Sequence, residues 1–357
     1  MVCLLVATKA DPASIGPASA LLSLCSSWTR GPDIDNNPSY RTRDVRMIHL
    51  QDKIVYEDFL EQRWETVTGE NVSEIIFMSR HTAASNRPAL TVHPIGIPHL
   101  EHDANSPAGG KPGRASPPNS RIGAWFRLLK STAANNNLLP EFEVTLEATH
   151  HGPWTEVPAM FVEIGSTEDY WRREDAAATV ASVFMKGLGL DGDQAVGCWS
   201  EEIHAGEKVL LGIGGGHYAP RHTDIAQKDG VWVGHLLSGY SLLMSDPGAN
   251  VKDYDKIEGT WKEAILEAVS ATKRAFPGGE VVAHLDAIVT LKFIFWVVSG
   301  LLRLLELHCM CATGLFSSHH PSHHRTLTNS NDEVLCAHQV HEIRRGFLPI
   351  WLPVCIC

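Results

Sequence analysis

His93, Glu147, His150, His151, His217 and His222 fall in three short segments, each following an apolar run. These are Thr91-Val92-His93-Pro94-Ile95-Gly96, Glu147-Ala148-Thr149-His150-His151-Gly152-Pro153 and Gly212-Ile213-Gly214-Gly215-Gly216-His217-Tyr218-Ala219-Pro220-Arg221-His222. A strand that ends in His, Gly and Pro sets an imidazole on a rigid edge and leaves the backbone bare, so several such ends can converge on one site. The chemistry open to such a set is general acid–base catalysis, metal ligation or both, because the two draw on the same side chains. We take His93, Glu147, His217 and His222 as candidate catalytic residues, and His150, His151 and His217 as candidate metal ligands. Gly214, Gly215 and Gly216 allow close approach to a ligand and can turn N–H groups toward an anion or a developing oxyanion.

Plainer readings stand beside these. Neighbouring residues of a strand face opposite sides, so one of His150 and His151 faces the site unless a turn brings both inward. A pair of strand-end imidazoles can also simply cap backbone carbonyls. His81 and His93 each close a strand and stand evenly between a chemical and a structural role. His235, among Val233, Gly234, Leu236 and Leu237, reads as structural. The sequence has no GxSxG elbow and no HExxH helix, and none of Cys3, Cys25 and Cys198 has a nearby histidine at a recognisable spacing. Its glycine run lacks the Lys-Ser/Thr pair of a phosphate-binding loop and the spaced third glycine of a dinucleotide fingerprint. Hydrolysis here would use water, activated by a metal ion or by one histidine as general base.

The elements that must position these residues follow from the apolar pattern. Val2 to Ala7 reads as a buried strand, and Asp11-Pro12 opens a helix after it. Further strands are expected at Val45 to Leu50, Glu74 to Met78, Phe142 to Ala148, Met160 to Ile164, Lys208 to Ile213, Val231 to Leu236 and Glu280 to His284. One helix is expected from Thr167 to Lys186 with Ser166 and Asp169 as a capping pair, and another after Thr260 and Glu263, stopped by Pro277-Gly278. Strands alternating with helices predict an α/β fold: a mixed, mostly parallel sheet with helices on both faces, in one large domain or as two intimately packed subdomains. His99 to Ser120, rich in Pro, Gly, Ser and Asn, is expected to be a long surface loop, either a functional lid or disordered, and Gly109-Gly110-Lys111-Pro112-Gly113 at its centre slightly favours the lid.

A net charge of −11 on 357 residues argues against a general nucleic-acid coat, since non-specific binding rests on summed phosphate neutralisation. It leaves room for a local basic rim, for which Arg41, Arg43 and Arg46, or Lys111, Arg114, Arg121, Arg127 and Lys130, are candidates. Lys111 and Arg114 are the two we assign to substrate. Only Cys3, Cys25 and Cys198 fall within the first 286 residues, with no CxxC pair and no secretory n-region, which suits a reducing compartment. The expected location is cytoplasmic, and the nucleus is admitted.

Together with Ser79-Arg80-His81-Thr82-Ala83-Ala84-Ser85, Gly109-Gly110-Lys111-Pro112-Gly113, Glu163-Ile164-Gly165-Ser166-Thr167, Gly234-His235-Leu236-Leu237-Ser238-Gly239-Tyr240 and Phe276-Pro277-Gly278-Gly279, these segments resemble the D-aminoacyl-tRNA deacylases of the archaeal and plant type, whose plant members are the GEKO proteins. The resemblance runs from Met1 to about Asp286. It implies hydrolysis of the ester joining a D-amino acid to the 3′ end of tRNA, with zinc as cofactor. The expected partner is the tRNA 3′ end, with no DNA and no membrane, and the expected state is a monomer. Strictness for the D form would need a wall that clashes with the L side chain, for which His93-Pro94 and Gly152-Pro153 are candidates. The rival readings are a zinc-dependent peptidase or amidase, and an inactive form that only binds tRNA ends.

From Ala287 to Cys357 the resemblance ends in a hydrophobic, then His- and Cys-rich tail. Lys292 and Arg303 break it too early for a membrane anchor, which needs about 20 apolar residues. Its Cys309, Cys311, His319, His320, His323 and His324 lack the paired spacing of a zinc module. The expectation is one catalytic domain over 1–286 and a poorly ordered, altered C-terminus over 287–357.

Overall fold

The computed structural model describes residues 1–245, 257–286, 301, 305 and 307, and the backbone of 308–310. In chain order the elements are β1 (Val2–Thr8), α1 (Pro12–Leu24), β2 (Thr29–Arg30), β3 (Ser39–Thr42), β4 (Val45–Leu50), α2 (Leu60–Thr68), β5 (Val72–Arg80), β6 (Ala89–Pro94), α3 (Ile122–Asn135) and β7 (Glu143–Leu146). They continue with β8 (Ala159–Gly165), α4 (Glu168–Trp171), α5 (Glu174–Gly187), α6 (Glu201–His204), β9 (Lys208–Gly214), α7 (Pro220–Ala226), β10 (Trp232–Leu237), α8 (Trp261–Ala275), β11 (Glu280–Asp286) and β12 (His308–Met310).

These strands form two sheets. The larger runs β2-β3-β4-β1-β5-β8-β6-β7 and the smaller β10-β9-β11-β12. β4, β1, β5 and β8 are parallel; β6 pairs antiparallel with β8, and β7 follows β6. Every residue of β1 is buried, as a central parallel strand covered on both faces requires. Met78, Met160, Val162 and Ile164 pack on one face with residues of α1, α3 and α5, while Phe77, Phe161 and Trp64 of α2 pack on the other. The smaller sheet shares the first core through Leu210 and Leu236, and buries its other face against Trp261, Ile265 and Val269 of α8.

The segment after β7 stitches the sheets together. Glu147 N–H donates to the Val92 carbonyl in the first sheet, whereas Ala148 N–H donates to the carbonyl of His217 in the turn after β9, and Thr149 N–H to that of Leu236 in the second sheet. The run expected as one strand to Ala148 therefore crosses from one sheet to the other at Glu147.

Three local expectations are corrected. The helix expected from Thr167 to Lys186 is split into α4 and α5, and the Ser166 hydroxyl donates to the Arg87 carbonyl at 2.5 Å instead of capping a helix. Thr260 precedes α8, but its hydroxyl is taken by the His99 carbonyl at 2.6 Å. The 99–120 loop is not wholly on the surface. Ala115 to Asn119 are buried, which is possible because their backbone groups bond to Ile95 and Ala159 at strand ends. Asp11 does begin α1 as read, accepting from Ala13 N–H, and its second oxygen accepts from Arg80 N–H at the end of β5.

Of the tail, Leu301 and Leu307 are buried in the second core and β12 pairs parallel with β11. The membrane and zinc-module readings of the tail turn on residues that lie outside the described ones. Among the described residues no helix is long and apolar enough to cross a membrane.

Candidate active site

Alternation along three neighbouring strands builds the floor of the site. Phe77 and Ser79 of β5, Phe161 and Glu163 of β8, and His93 of β6 share one face of the larger sheet, and the His93 ring lies parallel to Phe161 at 5.2 Å between centroids. His81 follows β5, its N–H bonded to the Ile164 carbonyl, and its ring covers Gly165. A β carbon on Gly165 would stand 2.8 Å from that ring, so only glycine leaves room for it.

Glu147 is fully buried at the joint between the sheets and faces two histidines. Its Oε2 is 2.7 Å from His217 Nε2, and its Oε1 is 3.1 Å from His81 Nδ1, in a direction too oblique for a hydrogen bond. The far nitrogens of both rings meet phenols: His217 Nδ1 lies 3.0 Å from the Tyr240 hydroxyl and His81 Nε2 lies 2.8 Å from that of Tyr218. Burial alone would raise the Glu147 carboxyl, but His217 and then His81 outweigh it and hold it well below the usual range. Burial alone would lower both histidines, and Glu147 outweighs it, so each is raised. Glu163 goes the other way, pushed well up by burial and then by the Glu147 charge. Two carboxyls in one site are thus driven in opposite directions.

A second trio adjoins this one. One ring nitrogen from each of His93, His150 and His151 lies within 4.8 Å of the others. In each ring Nδ1 faces a backbone carbonyl, that of Pro94 at 3.0 Å, Ala148 at 2.8 Å and Gly152 at 2.6 Å. A carbonyl only accepts, so Nδ1 carries the hydrogen and each neutral ring keeps its lone pair on Nε2. Burial lowers all three, His93 to about 4 and His151 to about 3, so they are neutral near pH 7. His151 adopts a positive φ of 40°, the turn that brings it and His150 to the same side. The carbonyl-capping role and the chemical role thus coexist, one on each nitrogen. Among the described residues His93 Nε2 and Glu163 Oε1 are buried without a hydrogen-bond partner.

The structure brings His93, Glu147, His150, His151 and His217 together and leaves His222 out. His222 is buried against Gly212, its Nε2 3.3 Å from the His284 carbonyl, and burial lowers it to about 3. His217 reaches Glu147 through the left-handed turn at Gly214 and Gly215, with φ of 92° and 82°. The carbonyls of Gly215 and Gly216 accept from Gly239 and Ala219, which fixes the turn. His235 is structural as read, bridging Thr149 Oγ1 and the Ser116 carbonyl.

Of the basic residues, Lys111 and Arg114 sit on the Trp154 ring, and Arg114 also pairs with Glu267 at 3.2 Å. Arg46 pairs with Glu70, Arg121 is buried against Glu74, and Arg127 bonds the Ala226 and Val231 carbonyls, so these three hold the fold together. Arg43 donates to the Gly189 carbonyl and Lys130 to Gln227, while Arg41 stays exposed. Gly152 lies so close to Gly110 that a β carbon would fall 2.1 Å from its nitrogen, which seats the 99–120 loop against the His150-His151 turn.

Sequence reasoning passed over Glu163, Tyr218 and Tyr240 and left His81 undecided. Glu163 carried a usable signal, a carboxylate set inside the apolar run Phe161-Val162-Ile164, where charge is rare unless partnered.

The sequence matches the family model described as D-aminoacyl-tRNA deacylase over residues 68–288. A D-aminoacyl-tRNA deacylase of Arabidopsis thaliana is 58% identical over 289 residues, covering 80% of this chain and 90% of that protein. One from Pyrococcus horikoshii is 33% identical over 245 residues, covering 68% of this chain and 82% of its own. The crystal structure of a conserved protein of unknown function superposes with a TM-score of 0.67 at 24% identity, over 87% of this chain and 95% of that one, a likeness of fold.

Proposed function

The chain belongs to the D-aminoacyl-tRNA deacylase family, hydrolases of the ester between a D-amino acid and tRNA, and we propose that Glu147 with His81 and His217, and the adjoining histidine trio, are its catalytic centre. The observation that carries this is the line Glu147–His217–Tyr240. Glu147 Oε2 accepts from Nε2 of His217, leaving Nδ1 of that ring, beside the hydroxyl of the half-exposed Tyr240, as the basic nitrogen. Water attacking the ester carbonyl gives its proton to His217 Nδ1. Glu147 stabilises the imidazolium, and the same proton passes to the ribose oxygen as the ester bond breaks. Glu163 lines the cleft, and in the protonated form that burial favours it would offer an O–H donor to the developing oxyanion.

The donor set also fits zinc. His93, His150 and His151 would hold it, since each is neutral, tied at Nδ1 by a carbonyl and free at Nε2, the arrangement second-shell contacts give histidine ligands. This replaces the trio His150, His151 and His217, because His217 Nε2 is already engaged by Glu147. When bound, zinc would supply Lewis acidity toward the ester carbonyl and toward water. Free thiols at Cys3, Cys25 and Cys198 support the cytoplasm as its location. The test is hydrolysis of matched D- and L-tyrosyl-tRNA with and without chelator. Release from the D ester alone, lost with chelator and restored by zinc, is expected; equal release from both esters would sink the reading.

A further inference from the structure

The cleft that opens onto His150, His151 and His217 has an outer wall that the hydrolytic residues do not use. Its volume is about 440 Å³, and Lys53, Tyr56 and Pro107 form that wall, with Arg80 beside them at the end of β5. Tyr56 is 54% exposed, yet its hydroxyl donates to the Pro107 carbonyl at 2.6 Å. An exposed ring pinned at its far end is a fixed flat face. The backbone braces it as well, because a β carbon on Gly109 would fall 1.7 Å from the Val55 carbonyl oxygen, so the 99–120 loop lies directly against the turn carrying Tyr56. Lys53 is exposed at the same opening, and the exposed Arg80 guanidinium is held over the Trp171 ring at 4.9 Å. One aromatic face with two cations beside it is the chemistry that receives a nucleotide, the base by stacking and the phosphate by charge.

We propose that Tyr56 is the stacking platform for the terminal adenine of the substrate, with Lys53 and Arg80 taking the adjoining phosphate. The proposal rests on the reading that this cleft hydrolyses an aminoacyl ester of tRNA, and it names the group that holds the ester over the histidines. A stacked base anchors the ribose whatever amino acid it carries, so recognition of the tRNA end is separated from recognition of the side chain.

The test is calorimetric titration of the full chain with AMP and with ribose 5-phosphate, which differ by the base alone. Wild type is expected to bind AMP about ten-fold tighter, within the range of base–aromatic stacking. In Tyr56→Ala that preference shrinks to less than about two-fold, while Tyr56→Phe keeps it and Lys53→Gln weakens both ligands together. No preference in wild type, a preference that survives Tyr56→Ala, or equal weakening of both ligands in Tyr56→Ala overturns the proposal. So does loss in Tyr56→Phe as complete as in Tyr56→Ala, which would assign the effect to the Pro107 bond. A wild type that prefers AMP but leaves D-tyrosyl-tRNA intact would support the platform and sink the hydrolase reading alone.

Discussion

Glu147 and His217 stand 70 residues apart in the chain, and their side chains meet at 2.7 Å because Glu147 occupies the step where the backbone leaves one sheet for the other. The carboxylate is reached by histidines from both sides of that step, His81 from the larger sheet and His217 from the smaller. Neither sheet alone can assemble the pair.

Replacing Glu147 by Gln keeps the volume and removes the charge that orients and stabilises His217. We expect kcat on D-tyrosyl-tRNA to fall about 10²- to 10⁴-fold, the usual worth of positioned acid–base catalysis, with KM little changed. Single-turnover hydrolysis measures it. Activity within a few-fold of wild type would remove Glu147 from the mechanism.

Metal content separates the two trios. Zinc bound by the purified protein, read by mass spectrometry after dialysis, is expected to be lost in His150→Ala and His151→Ala and kept in His81→Ala. If His217→Ala loses the metal while His93→Ala holds it, the ligand trio has been misassigned.

Arg121 is expected to matter for stability and not for substrate charge. Its guanidinium is buried 2.9 Å from Glu74, whose carboxyl burial would raise but Arg121 holds down. Arg121→Met strands that carboxylate, at a cost of about 3–5 kcal/mol, while Arg121→Met with Glu74→Leu should recover most of it. Urea unfolding of the two variants decides, and equal stability of both would show that the pair is not coupled.

Acid should unfold the protein through its buried neutral histidines. His222 and His235 are both lowered to about 3 by burial, whereas in the unfolded chain they titrate near 6.5. Below about pH 6.5 the unfolded state binds protons that the folded state refuses. Stability is therefore full above that pH and falls as pH drops toward 3, by up to about 1.4 kcal/mol per unit for each histidine. His235→Asn, which removes the titration, should flatten the slope of stability against pH between 6 and 4. An unchanged slope would mean that His235 is protonated in the fold.

Much of the fold was legible because buried strands announce themselves: Val45–Leu50 has the bounds its apolar pattern predicts, and β1, β8 and β9 lie within two residues of theirs. What failed was local competition for hydroxyls. Ser166 and Thr260 look like helix caps in sequence, but distant carbonyls at Arg87 and His99 take them. At the site, the strand-end histidines were readable and their grouping was not. His222 follows His217 by five residues, yet α7 turns it away from Glu147 and beneath Gly212. Grouping depends on which strands become neighbours, here the antiparallel entry of β6 beside β8, and no short-range pattern records that.

β12 bears on how the smaller sheet is finished at its rim. The family match stops at residue 288, and β11 ends just before it with one flank open to a further strand. A sheet flank asks its neighbour for amide and carbonyl groups, which every residue except proline supplies in full. Val282, Ala283 and His284 pair with 308–310 through the main chain, so that flank is closed by groups that residues of almost any kind supply. Sequence change is therefore cheapest at this rim of the smaller sheet, two strands removed from β9, the strand that leads the chain to His217.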